Sequence, residues 1–198
     1  WNAETVEINL RVPGLHNIVN AVAAWIAGVR LGIEARLMAS SLTAFSGTSR
    51  RFEFKGENGG RRLYDDYAHH PTEVAAAITQ ARSAAGNGDV SVVFQPHLYS
   101  RTQSFAERFA DALSHADHVY VCDIYGARED PVPGVDSTLI TSHLPKARYV
   151  PDMHEAARLA AREVSEGGIL LTMGAGSITQ CDQDVLDEWE HDGAGSAQ

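Results

Sequence analysis

Three short apolar runs constrain this chain more than any other feature: residues 90–95 (VSVVFQ), 119–123 (VYVCD) and 169–173 (ILLTM). Each is too short for a helix of ordinary length and too continuously apolar for a strand with one wet face. A strand buried on both faces fits all three. Segments of helical periodicity separate them, over 71–85, 100–116 and 153–166. Strand and helix alternating in this way predict an α/β domain, a mostly parallel sheet flanked by helices on both faces.

The rest of the chain is arranged around that alternation. Residues 5–12 alternate strictly, with Val6, Ile8, Leu10 and Val12 on one face, and predict a half-buried strand. Pro13-Gly14 breaks it. Ile18, Val22, Trp25, Ile26 and Val29 recur at helical spacing and predict a helix over 16–31, ended by Gly32 and followed by a shorter one over 34–45. The loop Ser46-Gly47-Thr48-Ser49 is the expected boundary between a first segment, 1–46, and a domain over 47–191, with 192–198 a disordered tail. Segments 51–55 and 62–67 flank a glycine-rich turn and predict a hairpin. A short helix over 137–143, a short strand over 148–150 and a last helix from Ala175 onward complete the series.

Composition removes some functions. A hydrophobic content of 44% over 198 residues supports a sizeable core, and a net charge of −10 argues against nucleic acid or an anionic membrane as partner. Two cysteines without a C-x-x-C spacing point to a reducing, cytoplasmic compartment. No apolar run approaches the roughly 20 residues a membrane-spanning helix needs. The chain begins at Trp1, and it is expected to be a piece of something longer.

The densest chemistry lies at 65–73, Asp-Asp-Tyr-Ala-His-His-Pro-Thr-Glu, between a predicted strand and a helix opened by Pro71. That junction is the carboxyl edge of the sheet, where α/β proteins place binding groups, and the helix start aims free N–H groups at an anion. Asp65 and Asp66, as strand neighbours, point to opposite faces, which disfavours a shared-proton pair. His69 and His70 diverge for the same reason, which weakens a two-histidine metal site. One or two imidazoles facing a cleft, to hold an anion or move a proton, stand beside the plainer reading of loop-satisfied side chains.

A second junction, 94–102, puts His97 and Arg101 around another helix start, with Ser100 as the expected N-cap. An arginine, a histidine and free N–H groups suit a carboxylate or a phosphate. Asn17 and Asn20, beside His16, share a helix face and can read a purine edge or simply cap and solvate the helix. Within Arg50-Arg51-Phe52-Glu53, an arginine can clamp a phosphate or sit ion-paired at a strand end. Gly174-Ala175-Gly176 lacks the third glycine of a dinucleotide turn, and close helix–strand packing accounts for it. No G-x-x-x-x-G-K-[ST] loop occurs, so any ATP phosphate cradle lies elsewhere. With no i, i+4 or His-x-His pair, no metal ligands are assigned.

Five segments in this order and spacing resemble the Mur ligases: 14–21 (GLHNIVNA), 45–53 (FSGTSRRFE), 65–73, 94–102 and 174–176. The resemblance is closest to the branch that joins L-alanine to UDP-N-acetylmuramate. It implies a C-terminal Rossmann-like domain, preceded by a strand–helix remnant of a central ATPase domain. It also implies roles: His16, Asn17 and Asn20 on the adenine side of ATP, Arg51 at the ATP phosphates and Asp66 at the ribose and hinge. Tyr67, His69, His97 and Arg101 would receive the alanine, with His69 and His97 nearest the chemistry. That chemistry passes through an acyl phosphate, which the alanine amine attacks to give an amide. The phosphate loop and the magnesium ligands would lie upstream of Trp1, so this portion alone is expected to be inactive.

Two departures from the family pattern stand out. Leu98 occupies the first arginine position of His-Arg-Tyr-Ser-Arg, so carboxylate binding would rest on Arg101 and His69. Ser177 stands where an aspartate is usual. A peptide-recycling Mur-type ligase and a non-catalytic nucleotide- or anion-binding module remain the alternatives.

Overall fold

Glu34 and Gly32 divide the first part of the chain into two helices, α1 (Leu15–Arg30) and α2 (Ala35–Ala44). The Glu34 carboxylate accepts the N–H groups of Arg36 and Leu37, both at 2.9 Å, so α2 is capped from its own sequence. Trp25 Nε1 donates to the Ala35 carbonyl at 3.0 Å and ties the helices together. Gly14 precedes α1 as its cap, its carbonyl accepting the Asn17 N–H at 3.0 Å, so Asn17 does not cap the helix. In this computed structural model residues 5–12 and 14–195 are described. The chain divides into two compact units, Trp1–Ser49 and Arg50–Gln198.

Residues 5–12 show the expected alternation, with Val6, Ile8, Leu10 and Val12 half-buried and their neighbours exposed. They form no strand, which corrects the sequence reading. A strand is a pairing, and none of the described residues offers these a ladder.

The second unit holds β1 (Glu53–Asn58), β2 (Arg61–Asp66), α3 (Pro71–Ala85), β3 (Val90–Phe94), α4 (Tyr99–Leu113) and β4 (His118–Val121). It continues through α5 (Thr138–Thr141), β5 (Arg148–Tyr149), α6 (Met153–Glu163), β6 (Ile169–Met173), a 3-10 turn (Ser177–Cys181) and α7 (Asp182–Gly195). The expected tail at 192–198 therefore begins inside α7, and 196–198 lie outside the described residues. The six strands run β1-β2-β6-β3-β4-β5, all parallel except β1, which forms the hairpin with β2.

Alternate residues of each strand feed opposite cores. Val90, Val92, Phe94, Ile169, Leu171 and Met173 pack toward α3, α4 and α5. Val93 and Leu170 pack toward α6 and α7, where Ala156, Ala157, Ala160 and Ala161 are wholly buried and let α6 come close to the sheet. Full burial of a side chain such as Leu113 or Ile78 is worth roughly 1.5–3 kcal/mol.

Because β6 inserts between β2 and β3, the ends Asp66, Met173 and Phe94 lie side by side in register, with Val121 beyond Phe94. The loops that follow these four strands must share one edge. That edge carries the site.

Candidate functional site

Each loop at the edge is fixed by its own backbone bonds. After β2, the Tyr67 N–H reaches the Arg50 carbonyl at 2.7 Å, and the Asp66 carboxylate accepts Ala68 N–H at 2.7 Å and Phe52 N–H at 2.8 Å. Pro71 opens α3, and Glu73 reaches back to the N–H groups of His69 (3.0 Å) and His70 (3.2 Å). This box separates the two histidines. His70 caps the helix, accepting Thr72 N–H at 3.4 Å, with its ring 5.3 Å from Phe105. His69 lies with its ring 5.2 Å from Tyr67 and 6.0 Å from His97.

After β3, the chain bonds to the loop that follows β4. Tyr125 N–H donates to Pro96 and Leu98 N–H to Tyr125, at 2.8 and 3.0 Å, and the Tyr125 ring stacks on His97 at 5.8 Å and 20°. Leu98, not Ser100, is the N-cap of α4. The helix already begins at Tyr99, so Ser100 falls inside its first turn. There its N–H (2.9 Å) and hydroxyl (2.5 Å) both bond to Glu129.

Hydrogen-bond partners assign the two imidazole tautomers. His69 Nδ1 lies 2.9 Å from the Tyr67 carbonyl and 3.3 Å from Glu73 Oε2. Both partners only accept, so Nδ1 carries the proton and a neutral His69 keeps Nε2 as a base. His97 Nδ1 lies 3.3 Å from Arg101 Nη1, which only donates. His97 therefore carries its proton on Nε2. Burial, then the charges of Arg101, His69 and Arg128, depress its proton affinity and keep it neutral. Burial raises the Asp66 carboxyl above the usual range, against the two backbone N–H groups and Arg51 that favour its charged form. For Glu73 burial is outweighed by the His69 N–H and nearby positive charge, and its carboxyl is held low.

Backbone strain collects here too. Among the described residues, the non-glycine positions with positive φ are Arg50 (58°), Phe52 (48°), Leu98 (72°) and Ala127 (51°), and all four lie in the segments that build this edge. Each costs about 1–3 kcal/mol and persists only where surrounding contacts enforce it.

The sequence reading singled out Arg51 and missed its neighbour. Arg50 is built into the edge: Nε bonds Asp65 at 2.9 Å, Nη1 the Gly176 carbonyl at 3.2 Å and Nη2 the Gly174 carbonyl at 2.6 Å. Asp65, wholly buried, faces Arg50 and Thr172 while Asp66 faces Ala68 and Phe52, so the two carboxylates form no pair. Arg51 is exposed, with its guanidinium 5.6 Å from the Tyr67 ring.

The glycines of 174–176 serve close packing. A Cβ on Gly174 would stand 2.6 Å from the Gln95 carbonyl, and one on Gly176 would stand 2.4 Å from Gln95 Oε1 and 2.6 Å from Tyr125 Cγ. Ser177 accepts a bond from Gln95 Nε2 at 3.3 Å. Tyr125 and Gln95 were missed as well; Gln95 directly follows β3, which was the available signal for it, while Tyr125 lies in the loop beyond β4. Asn17 (half-buried) and Asn20 (exposed) belong to the first unit, and the His16 side chain lies outside what is described. A separate group on the α6–α7 side, His154, Cys181 and Asp184, brings its donor atoms within 4.8 Å of one another.

A mostly parallel sheet flanked by helices on both faces defines an α/β domain, and residues 50–176 match the family described as Mur ligase, glutamate ligase domain. The chain belongs to the Mur ligase family. It is 55% identical over 173 residues to the UDP-N-acetylmuramate–L-alanine ligase of Paenarthrobacter aurescens, covering 87% of this chain and 38% of that protein. The protein of the same name from Renibacterium salmoninarum is 50% identical over 180 residues, covering 91% of this chain and 39% of its own length. Among solved structures, the UDP-N-acetylmuramate–alanine ligase of Thermotoga maritima superposes with a TM-score of 0.78 at 28% identity, over 95% of this chain and 41% of that one. The chain thus spans about two fifths of the length of these relatives. The α/β fold read from the sequence is borne out. No helix among the described residues is long and apolar enough to cross a membrane.

Proposed function

We propose that this chain is the amino-acid-receiving portion of an ATP-dependent ligase that joins L-alanine to UDP-N-acetylmuramate. The observation that carries the reading is the surplus of positive and proton-carrying groups at the sheet edge. Tyr67, His69, His97 and Arg101 converge there, while the nearby carboxylates Glu73 and Glu129 spend their oxygens largely on N–H groups. The names of relatives at 50–55% identity supply the substrate.

In this reading Arg101 and His97 Nε2–H hold the carboxylate of alanine. His69 Nε2 takes a proton from the alanine ammonium, because only a neutral amine attacks. The amine nitrogen bonds to the acyl carbon of the activated sugar acid, the tetrahedral adduct gives up its second N–H proton to solvent and expels phosphate as the C–O bond breaks, and the amide remains. Positioning and charge stabilisation do most of this work.

ATP, with magnesium, supplies the phosphoryl group that activates the acid. Arg51 suits a contact to its phosphates, being exposed and making no ion pair among the described residues, with Asp66 and Glu73 near enough only to feel its charge. Asp66 gives both carboxylate oxygens to backbone N–H groups, which suits support of the hinge-side loop better than direct contact. Asn17 and Asn20, with His16, are assigned to the adenine side on family likeness alone, and no residue here is given to magnesium.

The test is phosphate release by the full-length protein supplied with ATP and UDP-N-acetylmuramate. Release that depends on alanine is expected. Release with a preformed tripeptide but not alanine would mark a recycling ligase, and release with neither would mark a binding module.

A further inference from the structure

A carboxylate has two oxygens, and at this edge the cation set of Arg101 is partly spent. One of its terminal nitrogens lies on His97 Nδ1. Leu98, between the two in sequence, is apolar and buried and offers no charge. His97, neutral with its proton on Nε2, offers a hydrogen bond but no charge, so a second cation would come from elsewhere in the fold.

The loop after β4 comes back to this point and is fixed at both ends. At one end Tyr125 exchanges backbone bonds with Pro96 and Leu98 and stacks on the His97 ring. At the other, Glu129 binds the N–H and hydroxyl of Ser100, one residue before Arg101. Between these anchors the chain turns tightly, with Glu129 N–H bonded to the Gly126 carbonyl at 2.9 Å and Ala127 at a φ of 51°. Gly126 permits this, since a Cβ there would stand 2.8 Å from the Tyr99 ring and 3.0 Å from the Glu129 carbonyl. Arg128 is the residue this turn presents. It is exposed, and among the described residues no carboxylate lies within ion-pairing distance of it. Its charge is one of those that disfavour protonation of His97, which is consistent with its facing the same space.

We propose that Arg128 is a substrate-binding residue that holds the α-carboxylate of the incoming amino acid together with Arg101, supplying the positive charge that Leu98 lacks. The turn 125–129 is then the device that delivers it. This inference rests on the amino-acid-receiving role proposed above and adds a named contact to it.

The experiment measures alanine KM, kcat and thermal stability in the full-length protein for Arg128→Gln, Arg128→Lys and Arg101→Gln, with alaninamide as a carboxylate-free probe. Loss of one charge-assisted contact is expected to raise the alanine KM of Arg128→Gln roughly 10-fold or more. Its ATP KM and melting temperature should stay put, Arg128→Lys should recover part of the loss, and the preference for alanine over alaninamide should shrink. An unchanged alanine KM in Arg128→Gln, with a raised one in Arg101→Gln, would overturn the inference and leave the amino-acid role standing. Unchanged values in both would remove the role itself. A fall in kcat and stability that lysine does not rescue would make Arg128 a support of the loop, and the inference would again be wrong.

Discussion

Two clusters in the second unit are built from histidine, arginine and acid, and they behave as opposites. On the helix side, His154 Nδ1 sits 2.6 Å from one oxygen of Asp184, and Arg158 Nη1 sits 2.5 Å from the other. The carboxylate is used up, and Cys181 lies 3.8 Å behind the imidazole. That cluster staples α6 to the first turn of α7. At the sheet edge, the nearby carboxylates of Arg51, His69, His97, Arg101 and Arg128 among the described residues are Asp66, Glu73 and Glu129, and all three serve N–H groups. A cluster whose cations are balanced by its own acids holds the fold together. One whose arginines, here Arg51, Arg101 and Arg128, make no ion pair among the described residues leaves positive charge available to an anion.

That contrast can be broken in several ways. The largest effect is expected from His97→Ala in the full-length protein, which takes a partner from Arg101 and the stacking surface from Tyr125. Alanine KM should rise about 10- to 100-fold with little change in melting temperature, the size expected for a lost charge-assisted contact. Asp184→Asn should do the reverse. It should cost about 0.5–1 kcal/mol of stability, discounted because the His154 and Arg158 side chains are more than a third exposed, and leave alanine KM alone. Thermal melts at low and high salt would check it, since the loss should shrink as salt screens the pair.

Ala127→Gly should stabilise by about 0.5–1 kcal/mol by relieving a left-handed alanine, partly offset by the greater freedom of glycine when unfolded, and a denaturant melt would measure it. The smallest effect concerns pH. Because burial and neighbouring cations depress the proton affinity of His97, the stability held by its neutral ring is complete above 6.5, the value of a free imidazole, and is lost as pH falls below it. His97→Gln should flatten that decline in melts taken across mildly acid pH.

Much of the fold could be read from the chain because its signals are local. Runs such as 90–94 and 169–173 are buried on both sides and say so in their composition, and Pro71 with Glu73 writes the start of α3. The failures have one cause, in that pairing and turn geometry are not carried by a single segment. Residues 5–12 have the alternation of a strand and no neighbour. Leu98 caps α4 with a positive φ that no leucine advertises, so Ser100 looked the better cap. Which of Arg50 and Arg51 turns inward depends on two strained residues, Arg50 and Phe52. Tyr125 reaches His97 across a bridge between loops 28 positions apart, beyond any periodicity. The site residues named from the sequence were those beside a strand end and a helix start. Of the ones missed, Gln95 also sits at a strand end, whereas Arg50, Tyr125 and Arg128 are delivered by the turns between.

The central claim is that the sheet-edge cluster receives the amino acid while the helix-side cluster only holds the fold. Alanine KM and melting temperature, measured side by side for His69→Gln/Arg101→Gln and Arg158→Gln/Asp184→Asn in the full-length protein, test it most directly. The account predicts an alanine KM raised on the order of 100-fold at unchanged melting temperature for the first pair, and a lowered melting temperature at unchanged KM for the second. A wild-type alanine KM in the His69→Gln/Arg101→Gln protein would contradict it.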